Sequence, residues 1–307
     1  MRAMWSLVAA VLAWAALSSG ALAQNGLERF EREVKPQFEL EKFTYASATP
    51  LGSSGFVLND VVAVVPPSAA TGDKASTLKI DKVTVEEIDF DRLKKGNDDD
   101  MPRFAKVKLQ GMMGDDEIFT SLAPYGVPKV AIDAELDYRL DTASKVLTLN
   151  KLEINLRGQA RITLALVMDG ISDKSSEMEG TKDDGRLRTA SLSIDDSGLL
   201  AKVLPATAKE QGNTAEGLVA LTLISIAGFT DGQGPDTLKA LDAVASFVGD
   251  WKAPKGALTV LLKPAKTASL SDIDKIMMPN ALVDVFGLSV TYPGTRAGAA
   301  KAGPTAK

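Results

Sequence analysis

Four stretches of the chain repeat one pattern of apolar and polar positions. Phe38 to Tyr45, Phe56 to Ala63, Leu78 to Val85 and Leu147 to Ile154 each carry two alternating apolar residues, a polar pair, then two more. The pairs are Glu41-Lys42, Asn59-Asp60, Asp81-Lys82 and Asn150-Lys151, and in the third copy Ile88 and Phe90 extend the series by the same step of five. Alternation keeps apolar side chains on one face of a strand. A pair in the middle breaks that phase, because a shift of one residue sends every later side chain to the opposite face. Either the pair is a bulge that restores the face and bends the strand, or it is a tight turn and each motif is a small hairpin. Glycine is absent from all four pairs, which favours the bulge or a strand that crosses from one packing environment to another.

Between the third and fourth copies the alternation is regular. Val130, Ile132, Ala134, Leu136, Tyr138 and Leu140 share one face, with Asp133, Glu135, Asp137 and Arg139 on the other. Asp141 to Lys145 forms a loop, and Arg157-Gly158 turns the chain into Ala160, Ile162, Leu164, Leu166 and Met168. This predicts a three-stranded antiparallel meander over Val130–Met168. Upstream, Leu27, Phe30 and Val34 predict a short amphipathic helix ended by Pro36.

The second half changes period. Leu192 and Ile194 end a strand, and Asp195-Asp196-Ser197 is placed to cap a helix from about Gly198 to Gln211. Asn213 with Glu216 has the spacing of a capping box opening a second helix, which through Phe229 is almost wholly apolar. Asp236 is placed to cap a third, with Leu238, Leu241, Val244, Phe247 and Val248 at helical spacing. Leu258–Lys263 and Leu288–Tyr292 read as strands, Ser271–Met277 and Asn280–Phe286 as helices.

Composition narrows the chemistry more than the fold. The chain has no histidine and no cysteine. That closes Ser-His-Asp and Cys-His nucleophile systems, His-ligated metals and disulfides. A net charge of −5 argues against nucleic acid as a partner and against docking on anionic lipid. At the N-terminus, Arg2, the apolar run Trp5–Leu17 and Ala21-Leu22-Ala23 have the order of a secretory signal cleaved before Gln24. The expected organisation is a signal over 1–23, one α+β domain over 24–292 and a disordered tail over 293–307. That domain is β-rich over 37–194 and helix-rich over 195–292. No integral membrane segment is expected after cleavage, and no cofactor.

Candidate sites are few. Asp98-Asp99-Asp100, Asp115-Asp116, Asp183-Asp184 and Asp195-Asp196 offer clustered oxygens for calcium. They lack the alternating spacing of an EF-hand loop, and Asp favours turns and caps on its own account. Two carboxylates could support glycoside hydrolysis, yet no pair is singled out. The apolar helix is too short to span a bilayer. It reads either as a core helix buried on all sides or as the lid of an apolar groove. In the second reading positions 220, 223, 226 and 229 (Ala220, Leu223, Ile226 and Phe229) line the groove.

Short strands such as Leu78-Lys79-Ile80-Asp81-Lys82-Val83 resemble the β-repeat segments of AsmA-like exported proteins of Gram-negative bacteria. Leu192 to Leu200 followed by two helices, and Ala257 to Pro264, are similar to segments of uncharacterised periplasmic proteins. The resemblance implies a curved, mostly antiparallel sheet carrying helices, in the periplasm, with no established activity.

The expectation is therefore an α+β fold: a long, curved, mostly antiparallel β-sheet with bulged strands, packed against C-terminal helices. Three functions follow as alternatives. One is a non-catalytic periplasmic protein that binds an envelope protein or supports the envelope. Another is a carrier of an apolar small molecule, a lipid or acyl chain, held between sheet and helices. The third is a carboxylate-based hydrolase.

Overall fold

A computed structural model describes residues 25–67, 74–94, 100–115, 117–174, 176–177, 185–269, 271–272 and 280–295. The expected signal, Asp98, Asp99, Asp116, Asp183, Asp184, the helix expected to Met277 beyond Asp272, and the tail beyond Thr295 lie outside them.

The chain is α+β, with 41% strand against 28% helix. Among the described residues twelve strands form one curved, open sheet. They are β1 (Lys42–Thr44), β2 (Ser47–Leu51), β3 (Gly55–Val65), β4 (Ser76–Ile88), β5 (Phe104–Gly114), β6 (Ile132–Asp141), β7 (Val146–Leu156), β8 (Ala160–Asp169), β9 (Arg186–Asp196), β10 (Leu258–Leu262), β11 (Ala268–Ser269) and β12 (Leu288–Thr291). From β3 to β10 each strand pairs with the next in sequence, and every pairing in the sheet is antiparallel. The helices are α1 (Gly26–Arg29), α2 (Glu117–Thr120), α3 (Leu200–Glu210), α4 (Ala215–Gly228), α5 (Pro235–Gly249) and α6 (Ala281–Asp284). The expected meander over β6–β8, the bulged strands and the C-terminal helices are thus realised.

The polar pairs bend strands in two different ways. At Asn150-Lys151 the ladder register shifts on both flanks of β7, so this pair is a bulge, and Leu149 and Leu152 return to one face. At Asn59-Asp60 and Asp81-Lys82 the kinks of β3 and β4 face each other, and the pairing register stays constant across them. Asp60 takes φ 51° to make its turn. The crease continues into β5 at Gly111, whose φ of 69° suits glycine. It ends at β6 in a register shift, where the Gly111 N–H donates to Asp133 Oδ1 at 2.8 Å. A further bulge between Val85 and Glu87 turns Ile88 and Phe90 inward, as the step of five predicts.

The first motif departs from expectation. Phe38 to Glu41 is not strand, and the pairing begins only at Lys42. β1 and β2 share the β3 edge but break at Tyr45-Ala46, opposite the crease, because a straight edge strand cannot follow a kinked neighbour. The N-terminal helix is also shorter than expected. After α1 it loosens into a π-turn over Phe30–Val34, then tightens over Lys35–Gln37, with Pro36 inside the last turn. This segment lies on the sheet through a glycine contact: a Cβ on Gly26 would sit 2.3 Å from the Gly55 nitrogen. Phe30 then stacks on Phe56 with centroids 4.5 Å apart.

Two expected caps move by a residue or two. Thr214, in extended backbone, caps α4 by accepting from the Gly217 N–H, while Asn213 accepts from Thr214. Glu216 pairs with Lys252 instead of closing a box. Gly234 opens α5 ahead of Pro235, and Asn280 accepts from the Gly234 N–H and the Thr237 hydroxyl. Asp196 does cap α3, accepting at Oδ1 from Leu199 and Leu200.

Candidate apolar binding site

Register places the apolar face of the sheet in continuous rows across the strands. One row runs Phe56, Val85, Val107, Leu136, Leu152, Leu164, Leu192, Val260 and Val290. The next runs Leu58, Val83, Leu109, Ala134, Ile154, Ile162, Ile194 and Leu258. The same residue types recur along both, but their cover does not.

Over β3–β5 the rows are sealed, with Phe56, Leu58, Val83 and Val85 at 0–1% exposure under Phe30, Val34 and Phe43. At the far end, Ala243 and Phe247 of α5 with Tyr292 close over Leu258, Ile194 and Val290. Leu187, Ala268 and Phe286 form a further small cluster beside Met168 and Ala190. Between these roofs, Leu152, Ile154, Ile162, Leu164, Leu166 and Leu192 belong to no buried cluster among the described residues. Five of them are half-buried and Ile162 is 41% exposed. They occupy three adjacent strands, a trough about 10 Å across and about 14 Å along the strands from standard sheet spacings.

Helix α3 closes one end. It leaves β9 at the Asp196 cap, is held by Lys202 donating to Gln159 Oε1 at 2.6 Å, and packs against the Ala123–Tyr125 turn that follows β5. The trough is therefore walled by the N-terminal core, α5 and α3.

The opposite face of the same strands is polar and self-neutralised. Lys106 and Lys108 flank Glu86, Glu135 sits between Lys108 and Lys151, and Glu153 lies between Lys151 and Arg161, at 2.5–3.9 Å. Hydrogen bonds from Lys106 and Lys108 hold the Glu86 carboxyl below its ordinary range, and the bond Lys151 donates to Glu135 raises the Lys151 ammonium. These charges are thus largely paired across neighbouring strands. A polar cleft beside α1 behaves similarly: Arg29 pairs with Glu33 and Asp91, Lys94 with Asp91, and buried Asp89 with Arg103. Burial pushes the Asp89 carboxyl up, but three hydrogen bonds from Arg103 outweigh it and hold the group below its usual range.

The acidic clusters, so far as they are described, are structural. Asp100 pairs with Lys174, Asp115 accepts from Ser76 and Thr77, and Asp196 caps α3. Among the described residues no three carboxylates converge as a metal would require.

Helix α4 is not the all-round core helix that its composition suggests. Ala215, Val219 and Leu223 pack with Trp251, Leu204 and Val248, while Ala220 is exposed, Ile226 is half-buried and Phe229 is 68% exposed. Its partners are α3 and α5, so it forms an outer layer. Of the four positions singled out from sequence, then, Leu223 sits in the helix cluster and Ala220 and Phe229 face solvent. The strand residues of the trough escaped sequence reasoning, since their alternation matches that of the sealed rows. The available signal was the shortage of amphipathic cover for nine apolar strands.

A family model described only as an uncharacterized protein matches residues 151–293. The match takes in the trough strands from the β7 bulge onward, together with α3–α6 and β12. No curated protein matches the chain. Among the described residues no helix is long and apolar enough to cross a membrane.

Proposed function

We propose that this is an exported, non-catalytic binding protein that holds an apolar ligand in the trough over β7–β9. One observation carries the reading: six large apolar side chains continue the core rows yet join no core. Leaving a Leu or Ile uncovered forgoes about 1.5–3 kcal/mol of burial, so an uncovered group of six favours an apolar occupant. The neutralised reverse face directs recognition to this side. The order of Arg2, Trp5–Leu17 and Ala21–Ala23 supports export to the periplasm. The likeness of Leu78–Val83 to AsmA-like β-repeats fits an envelope setting.

The test is lipid extraction of the protein purified from a bacterial periplasm, paired with titration of a fluorescent fatty acid. Stoichiometric lipid and saturable binding are expected. Ile162→Asp should weaken the fatty acid at least tenfold without lowering the melting midpoint. Absence of both lipid and binding overturns the carrier reading, and leaves docking of an envelope protein as the function to pursue.

A further inference from the structure

Among the described residues the buried or half-buried lysines pair with carboxylates, with one exception. Lys35, Lys106, Lys108, Lys151 and Lys174 each meet an acid. Lys202 is half-buried too, yet its ammonium donates to the neutral Gln159 Oε1 at 2.6 Å and joins no ion pair of the described residues. Lys202 stands in the first turn of α3, and Gln159 immediately precedes Ala160, the first residue of β8. Ala160 pairs with Leu156 and Asp196, and one pleat further along lie Ile154, Ile162 and Ile194. The ammonium is thus held over the β7–β8 turn, at the closed end of the trough, where its apolar side chains begin.

We propose that the ligand of the trough is a fatty acid, with its carboxylate on Lys202 and its chain running along β8 toward Leu166. The inference rests on the apolar-trough reading and adds to it the head group and the direction in which the chain lies. Charge selects the head. An ammonium has three donors and Gln159 takes one, which leaves two for the oxygens of a carboxylate. A single positive charge matches a monoanion, and a charge-assisted hydrogen bond partly shut from water is stronger than one between neutral groups. Asp196, in the same corner, does not cancel the cation. Its Oδ1 accepts from the Leu199 and Leu200 N–H groups, at the end of α3 where the helix dipole favours a carboxylate. A neutral amphiphile would leave the Lys202 charge facing an amide alone, half out of water, so the ionised head is the one this end of the trough rewards.

The test loads the delipidated protein with Nile red, a neutral dye, and displaces it at neutral pH with dodecanoate or with dodecanol. Dodecanoate should displace the dye at about tenfold lower concentration, the size of one charge-assisted hydrogen bond. Lys202→Gln should bring dodecanoate to the level of dodecanol in the same protein, and Lys202→Arg should keep the preference. Ile162→Asp should weaken both ligands. Equal displacement by acid and alcohol in the unaltered protein, or a preference that survives Lys202→Gln, overturns the head-group assignment and leaves the apolar trough standing. A protein that takes up neither the dye nor the two ligands, or binds them regardless of Ile162→Asp, overturns the trough reading itself, and this inference with it.

Discussion

The rows over β3–β5 and those over β7–β9 belong to one face of one sheet and use the same residue types, yet one is sealed and the other half open. Phe56 and Leu152 sit in the same row, four strands apart, and only Phe56 is covered to 0% exposure. Strand chemistry does not separate them. The difference lies in the roofs: an aromatic-rich N-terminal segment is pinned over β3 by the Gly26–Gly55 contact, whereas the C-terminal helices gather at β9–β12 and stop short of β7. Burial is thus decided by what lies above a strand as much as by the strand's own pattern.

The sharpest way to break the comparison is deletion. Removing Glu153, in the regular part of β7, would turn Ile154 and Leu156 to the polar face, so a loss above about 4 kcal/mol, or no folded protein, is expected in chemical denaturation. Removing Asn150 leaves Leu147, Leu149, Leu152 and Ile154 in strict alternation and should cost far less. An unchanged midpoint for the Glu153 deletion would show that register does not set the facing of these residues. Next in size, Phe56→Ala should cost about 3–5 kcal/mol, as truncation of a sealed aromatic does. Leu152→Ala, in the same row but half-buried, should cost about 1 kcal/mol or less, because no closed cavity is left. Equal losses at the two sites would remove the distinction between the regions.

Acid sharpens it from another side. Asp89, and Asp133 held by Arg157 and the Gly111 N–H, both lie below the usual carboxylate range, net of a burial effect that pushes them up. Their contribution is therefore fully present above the unfolded value of about 3.9 and is lost as pH falls from there through the folded values. Melting followed from pH 6 to pH 2 should show stability declining only below about pH 4, and Asp89→Asn should flatten that decline. The smallest effect belongs to the reverse face. Lys151→Ser should change stability by only a few tenths of a kcal/mol, since its bridges to Glu135 and Glu153 are solvent-screened.

Much of this architecture was legible in the residues. The polar pairs announced the bends, and the step of five at Ile88 and Phe90 announced a second one, because period-two alternation is rigid enough for any lapse to mean something. The cap of α4 lies one residue after its expected position and that of α5 two residues before, since Asn, Thr, Asp and Gly all cap well and the choice depends on backbone angles. The trough was not legible. Whether a roof reaches Leu164 depends on tertiary placement, and apolar composition misled at α4, where the exposed and packed sides are chemically alike.

The crease through Asp60, Asp81 and Gly111 also limits how this chain can change over time. Because the kinks of β3 and β4 face each other and the turn of β5 continues them, an insertion in one strand has no counterpart unless its neighbours lengthen together. Three stretches far apart in sequence are thereby tied to a common length. Gains and losses of residues should accumulate in the connecting loops and not within the three strands, as in a pleated garment where a stitch added to one fold must be added to all.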